Sequence, residues 1–156
     1  MGEADYREAK WPNGQLKWKG GFNDGKRNGN WTQWRPSGEK RQECRYKDGK
    51  LDGLETFCYA DGWKRQTLWK LGKKDGMEIV WHKNGQKKEE GRYKDGRQDG
   101  LWESWHRNGR KRWEHRYRSG KMHGTWIWWN RKGLELGQQF WEDGEIAVCS
   151  MSALAV

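Results

Sequence analysis

The sequence has little of the aliphatic material from which most globular cores are built. Only 32% of its 156 residues are hydrophobic, and no apolar run approaches the roughly 20 residues that a membrane-spanning helix requires. The amino-terminal residues also lack the apolar stretch of a secretory signal peptide. These absences argue against a transmembrane protein, and we expect a soluble chain in the cytoplasm.

Cysteine is scarce as well. The three cysteines, Cys44, Cys58 and Cys149, do not have the spacing of a metal site, and a disulfide between any two would leave the third over. We therefore expect a reducing compartment, no metal and no cofactor. Cys44 and Cys58 are predicted to be cross-strand neighbours; we interpret them as two buried thiols, with a bond between them as the alternative.

Glycine, in contrast, is abundant and regularly placed. The 22 glycines include three interleaved series whose members are 24 residues apart, with one step of 23 in each series because the stretch between Gly62 and Gly72 is one residue shorter than its counterparts. The first two series are Gly14, Gly38, Gly62, Gly85, Gly109, Gly133 and Gly25, Gly49, Gly72, Gly96, Gly120, Gly144; the third is Gly29, Gly53, Gly76, Gly100, Gly124. A fixed period of this length indicates a repeat protein. The array covers residues 1–148, with units near 7–30, 31–54, 55–77, 78–101, 102–125 and 126–148.

Aromatic residues recur in register with the glycines. The chain has 14 Trp, 5 Tyr and 3 Phe and a net charge of +10. Low hydrophobicity with high charge is typical of disorder, but each large ring can bury about 150 to 250 Å². We therefore expect tryptophan to replace leucine as the packing residue.

The segments between glycines predict strands. Each has about six to eight residues and is bounded by Asn-Gly, Asp-Gly or Ser-Gly, which form tight turns at low conformational cost. We predict an all-β fold, an extended, twisted, single-layer antiparallel β-meander of about six hairpin repeats of 23–24 residues. The glycines of the first two series are expected at the turns, the first at short "NG" turns and the second within longer "DGKxxG" turns.

Two sets of aromatic positions stand out. Three residues before each glycine of the second series the chain always has an aromatic residue, which we interpret as structural: Phe22, Tyr46, Trp69, Tyr93, Tyr117 and Trp141. Four residues before the first series lie Trp34, Trp81, Trp105 and Trp129, at opposite parity to Trp31, Trp102 and Trp126. If the NG turn is a two-residue loop, Trp34, Trp81 and Trp105 lie opposite Arg41, Lys88 and Arg112; a three-residue loop would shift this register.

Residues 149–156 depart from the repeat, because small apolar residues replace charged ones. We expect them to cap the last strand edge, since an uncovered edge invites aggregation. The alternative is a docking tail for a partner.

The unit "YKDGRQDGLWESWHRNGRKRWE", residues 93–114, resembles the MORN repeat, and more closely its bacterial variant. "YKDGKLDG", "GNWTQW" and "VWHKNGQKKEEGRY" carry the same likeness. The resemblance implies an antiparallel hairpin array that serves as an interaction platform. Bacterial proteins similar to it are described as antitoxin or immunity-type proteins, and eukaryotic ones as scaffolds, membrane-associated modules or regulatory parts of enzymes.

Catalysis finds little support in the sequence. His82 and His106 recur at one repeat position without a fixed nucleophile or carboxylate nearby. A residue that recurs by repeat rarely acts alone, so we predict no catalytic residues and no enzyme activity.

The basic residues suggest a binding surface instead. Repeats two to five begin their second strand with two basic residues, Lys40-Arg41, Lys64-Arg65, Lys87-Lys88 and Lys111-Arg112, which predicts a positive stripe, although interspersed glutamates are equally typical of a solvated face. Because tryptophan and arginine are common in interface hot spots, we predict a toxin-like or acidic protein partner. An anionic membrane is the alternative, nucleic acid is less favoured, and a homodimer would also cover the aromatic face. The candidate partner-binding residues are Trp34, Trp81, Trp105, Trp129, Arg41, Arg65, Lys88 and Arg112.

Overall fold

The computed structural model describes residues 5–151 and the side chains of residues 5–147. The described chain forms two compact units that divide between Lys74 and Asp75. Each unit is an antiparallel meander in which strands pair with their neighbours in chain order, so the predicted all-β hairpin meander is confirmed. The strands are β1 (Asp5–Lys10), β2 (Leu16–Asn23), β3 (Lys26–Trp34), β4 (Lys40–Lys47), β5 (Lys50–Leu51), β6 (Gly53–Cys58), β7 (Lys64–Lys70), β8 (Lys73–Trp81), β9 (Lys87–Lys94), β10 (Arg97–Trp105), β11 (Lys111–Arg118), β12 (Lys121–Met122), β13 (Gly124–Trp129), β14 (Glu135–Glu142) and β15 (Glu145–Met151).

The turns at the second glycine series are shorter than predicted. The chain reverses within two residues, such as Asp48 (φ 50°) and Gly49 (φ 80°). Positive φ at both positions is typical of a type I′ turn, whose twist matches that of the strands. The third glycine series belongs to the following strand, where Gly53 and Gly124 begin β6 and β13 after the short β5 and β12. The "DGKxxG" stretch is therefore a tight turn followed by an irregular strand start.

The turns at the first glycine series are three-residue loops. At residues 12–14 the Gly14 amide donates to the Trp11 carbonyl (2.9 Å), and the Trp11 amide donates to the Gln15 carbonyl (2.8 Å). This is the loop in which a type I turn is followed by a glycine at positive φ. A bulge follows in the second strand, so that Trp34 lies opposite Lys40 and Trp105 opposite Lys111. The two-residue register that would place Trp105 opposite Arg112 is therefore wrong by one residue.

The core is one row of side chains that crosses successive strands, here called the core row. In the first unit Trp31 pairs with Gly20 on one side and Cys44 on the other. Further along, Glu55 pairs with Thr67. In the second unit Trp102 lies between Gly91 and His115. The remaining members of the second unit's row are Glu78, Trp126 and Gln139.

Glycine is needed where an indole crosses the neighbouring strand. A Cβ at Gly91 would lie 2.1 Å from the Trp102 ring, and one at Gly20 would lie 2.3 Å from the Trp31 ring. Each indole also donates its N–H to a backbone carbonyl, Trp31 to Gly21 (3.1 Å) and Trp102 to Arg92 (3.1 Å). The rings therefore lie flat on the sheet with their polar group satisfied, and Trp31 and Trp102 are only 3% and 1% exposed.

The six recurrent aromatic residues flank this row and are half-buried. Tyr93 packs edge-on against Trp102 with ring centroids 5.1 Å apart, and Phe22 packs likewise against Trp31 at 5.4 Å. Cations cover part of the aromatic surface: the Arg27 guanidinium lies 4.3 Å from the centroid of Trp31. The sheet thus builds a core from one layer, because neighbouring side chains on the same face cover the indoles.

The two described cysteines are not neighbours across strands. Both thiols are free; Cys44 is buried, but Cys58 is only half-buried. On β6 it is Thr56 and Phe57 that lie opposite Glu43 and Gln42. Burial, with a smaller contribution from the charge of Glu55, raises the pKa of Cys44 to about 11, so this thiol stays protonated. The side chain of Cys149 lies outside the described residues.

Side chains in the NG turns connect successive repeats. His82 and His106 donate from Nε2 to the carbonyls of Trp105 (3.2 Å) and Trp129 (3.0 Å), one repeat further on. Asn108 repeats the pattern, because its amide donates to the Arg131 carbonyl (2.8 Å). This explains why histidine recurs at one repeat position: it ties one hairpin to the next.

At the carboxyl-terminal side, β15 pairs with β14 from Glu142↔Glu145 to Gly137↔Met151. The segment predicted as a cap thus contributes its first residues to a strand, and residues 152–156 lie outside the described part of the chain. Among residues 5–151 no helix is long and apolar enough to cross a membrane.

Candidate binding surface

Each unit has two unlike faces. Side chains alternate along a strand, so the core row and its aromatic neighbours occupy one face, here called the inner face. The other, called the outer face, has polar and charged residues alongside exposed apolar ones. In the second unit its centre is a cross-strand line of Glu90, Glu103 and Glu114.

The outer face has tryptophans along the edge formed by the NG turns. Trp34, Trp81, Trp105 and Trp129 are all half-buried there. Lysines cover part of their rings: Lys87 Nζ lies 5.8 Å from the centroid of Trp105, and Lys111 Nζ lies 5.7 Å from that of Trp129. Cation–indole contacts are therefore present between successive repeats, from a lysine to the tryptophan of the next repeat, and not between Trp105 and Arg112 of one hairpin.

The bulge also decides what the lysines of the positive stripe contact. It turns them toward glutamates on the outer face, with Lys40 Nζ 2.7 Å from Glu43 and Lys87 Nζ 2.6 Å from Glu90. Lys111 Nζ lies between Glu103 (2.6 Å) and Glu114 (2.8 Å).

Each of these lysines has a carboxylate partner, so much of the positive charge is neutralised locally. Burial alone would lower the pKa of Lys111, but hydrogen bonds and charge from the two glutamates raise it above its usual value.

The predicted arginines are placed differently from the predicted tryptophans. Arg41 and Arg65 lie over the Phe57 ring on the inner face, with their guanidinium carbons 5.5 Å and 5.9 Å from its centroid. Arg65 also contacts the buried Glu55 carboxylate at 3.7 Å. Arg112 is exposed and Lys88 is half-buried. The structure therefore does not gather all eight predicted residues on one surface.

A row of exposed apolar side chains on the outer face was missed by the sequence analysis. In the first unit Leu54 and Leu68 lie opposite each other and are 50% and 38% exposed. In the second unit the exposed members are Met77, Leu101 and Phe140. Here they are called the outer apolar row. The available signal was the residue after the third-series glycine, which is Leu54, Met77 and Leu101 in three repeats.

Arginines alternate with these apolar residues. Met77 lies opposite Arg92, and Leu101 lies opposite Arg116. Arg116 approaches Glu114 only at 3.8 Å, and the described residues provide no carboxylate partner for Arg92. The row therefore presents aliphatic surface and positive charge together, a composition typical of protein interfaces.

Comparison with known families agrees with the resemblance seen in the repeats. Residues 74–95, which comprise nearly all of β8, the NG turn and β9, match the family model described as "MORN repeat variant". No curated protein matches the chain. The match covers one repeat, and the same turn and strand pattern recurs on both sides of it, which supports the MORN repeat family as the one to which these hairpins are similar.

Proposed function

We propose that this chain is a non-catalytic protein-binding module that uses its outer face. The observation that carries the proposal is the outer apolar row with its alternating arginines, bordered by the tryptophan edge. An exposed row that combines apolar side chains with arginines is typical of surfaces that bind another protein. Leucine and tryptophan supply apolar area that a partner can bury, and arginine and the tryptophan N–H supply charge and hydrogen-bond donors in the same patch.

The partner we propose is a protein with an acidic surface, and the resemblance to bacterial MORN proteins suggests a toxin-like one that this chain neutralises. A net charge of +10 favours association with an acidic partner. A scaffold that holds two proteins together uses the same surface and belongs to the same class.

A binding assay on outer-face variants tests the proposal. Proteins captured from the native host by the immobilised chain would be identified, and one would be purified for titration calorimetry. Leu101→Asp and Trp105→Ala should each weaken its binding by about tenfold or more, about 1.4 kcal/mol, with little change in melting temperature. Lys83→Ala, at an exposed turn position, is the matched control. Equal affinity for all variants would overturn the proposal.

The alternative is a peripheral scaffold on anionic membranes. Vesicles with and without the anionic lipid phosphatidylserine distinguish the two. Because Lys40, Lys87 and Lys111 are ion-paired, we expect weak sedimentation with either vesicle. Strong binding that needs phosphatidylserine and disappears in high salt would favour the membrane.

A further inference from the structure

A shallow pocket opens on the outer face of the first unit. It measures about 460 Å³ and lies over strands β3, β4 and β6. The side chains at its walls are Asn30, Thr32, Glu43, Arg45, Leu54 and Thr56. Trp31 and Cys44 also line it, and because their side chains belong to the inner face, they form its floor.

The pocket combines an unpaired cation with an apolar wall. Arg45 is exposed, and no carboxylate among residues 5–151 lies within ion-pair distance of it. Its aliphatic stem passes over Gly53, where an added Cβ would lie 3.8 Å from the Cβ of Arg45. Arg45 itself is one of the residues that line the pocket. Leu54, 50% exposed, forms the apolar wall.

The rest of the lining offers polar groups of both kinds. Glu43 is already bound to Lys40 (2.7 Å), so the anionic side of the pocket is neutralised. Thr32 and Asn30 provide a hydroxyl and an amide that both donate and accept hydrogen bonds. A ligand here meets the unpaired Arg45, hydrogen-bonding groups and one leucine.

We infer that this pocket receives a short protein segment in which an acidic side chain stands beside an aliphatic one. The carboxylate binds Arg45, which can hold it through two parallel hydrogen bonds, and the aliphatic side chain packs on Leu54. Charge complementarity selects this occupant, since the free charged group of the pocket is a cation. The inference rests on the proposed protein-binding function and adds the anchor that the partner must supply.

A peptide selection tests this anchor. A phage-displayed library of random heptapeptides would be selected against the full chain, and the enriched peptides synthesised and titrated by calorimetry. We expect the enriched peptides to have Asp or Glu within two residues of Leu, Ile, Val or Met. Arg45→Glu should weaken their binding by about tenfold or more.

Two further variants separate the pocket from the rest of the outer face. Asn30→Trp fills the pocket mouth without changing charge and should also abolish peptide binding, while Arg116→Glu, next to Leu101 in the second unit, should leave it within about twofold. Circular dichroism and melting temperature confirm that each variant folds.

The outcomes separate this inference from the proposed function. The inference about the pocket is wrong if the enriched peptides lack an acidic residue. It is also wrong if they bind Arg45→Glu and Asn30→Trp as tightly as they bind the unaltered chain. If partner binding is still lost in Leu101→Asp, the outer face retains its function and only the anchor is wrong. If neither partner nor peptide binding responds to any variant, both fail.

Discussion

The second and third repeats differ at the core row, and the difference shows two ways to fill one position. Trp31 lies flat over Gly20, stacked on Trp18 with ring centroids 4.9 Å apart. One repeat later Glu55 takes the same place and is equally buried, at 4% exposure. Its carboxylate accepts hydrogen bonds from Gln42 and from Trp69 Nε1 (3.0 Å). A buried charge is tolerated when hydrogen bonds and a cation surround it, and here Arg65 supplies the cation.

The third repeat is one residue shorter than the others, and the reason is that its second strand lacks the bulge. In the second repeat Gln33 pairs with Gln42 and Trp34 with Lys40, so Arg41 is the extra residue. In the third repeat Phe57 pairs with Arg65 and Cys58 with Lys64, without an interruption. The deletion removes the bulge residue, and the register continues unbroken. Arg65 thereby stays on the inner face, where it reaches Glu55.

The largest expected effect is the loss of the indole. Trp31→Ala should lower the free energy of unfolding by about 3–5 kcal/mol, because it removes a large buried ring over a glycine. Glu55→Ala should lower it by about 1–3 kcal/mol, mainly by leaving the Trp69 N–H without its acceptor. Urea denaturation of both variants measures the difference. Equal losses, or a larger one for Glu55→Ala, would mean that the polar network and not the indole dominates this row.

A third occupant of the same row, His115, should make stability depend on pH. Its ring lies between Trp113 and Trp126, with centroids 4.2 Å and 3.8 Å away, and burial lowers the pKa of His115 from 6.5 to about 4. Between these values the unfolded chain binds a proton that the native chain does not, so stability should fall as pH drops from 6.5 toward 4. Above pH 6.5 His115 should have no such effect.

His115→Phe is the matched variant, because it keeps a ring between the two indoles but does not titrate. The difference between the urea midpoints measured at pH 7 and at pH 4.5 should be smaller in this variant than in the unaltered chain. Identical shifts in both chains would show that His115 is not the group responsible.

The smallest effect concerns the turn of the third repeat. Leu71 occupies the left-handed position (φ 48°) that aspartate or serine fills in the other type I′ turns, and it is 52% exposed. Leu71→Asn should raise the free energy of unfolding by about 0.5–1 kcal/mol, since asparagine adopts this conformation at lower cost. Thermal unfolding measures the gain, and Asp95→Leu should show the opposite change. A lower free energy of unfolding in Leu71→Asn would mean that packing of the leucine side chain outweighs the cost of its backbone conformation.

Glycine spacing and strand alternation were sufficient to predict the hairpins, because a positive φ and a period of two are local properties of the chain. The bulge was not predictable in the same way. Whether Arg112 or Lys111 faces Trp105 depends on two backbone hydrogen bonds at the turn, which spacing alone does not reveal. That one-residue shift decided which cations reach the outer face.

The candidate surface combines positions that are visible in the sequence with positions that only the structure reveals. The edge tryptophans recur at one repeat position and are visible in the sequence, but the outer apolar row is not, because Leu54, Met77 and Leu101 look in the sequence like ordinary strand residues. An exposed leucine on a strand is unremarkable singly. Exposed leucines become informative when the cross-strand register places several of them in one row. That register is known only from the structure.

The hydrogen bonds between neighbouring turns have a mechanical consequence. Each joins a hairpin to the next one, as in His106 to the Trp129 carbonyl, so among the described residues these bonds connect neighbouring hairpins. A stretching force on such an assembly should peel hairpins away one at a time, in steps of similar length, instead of rupturing it at once. By the same logic whole hairpins could be added or removed, since each joint is made from the same parts.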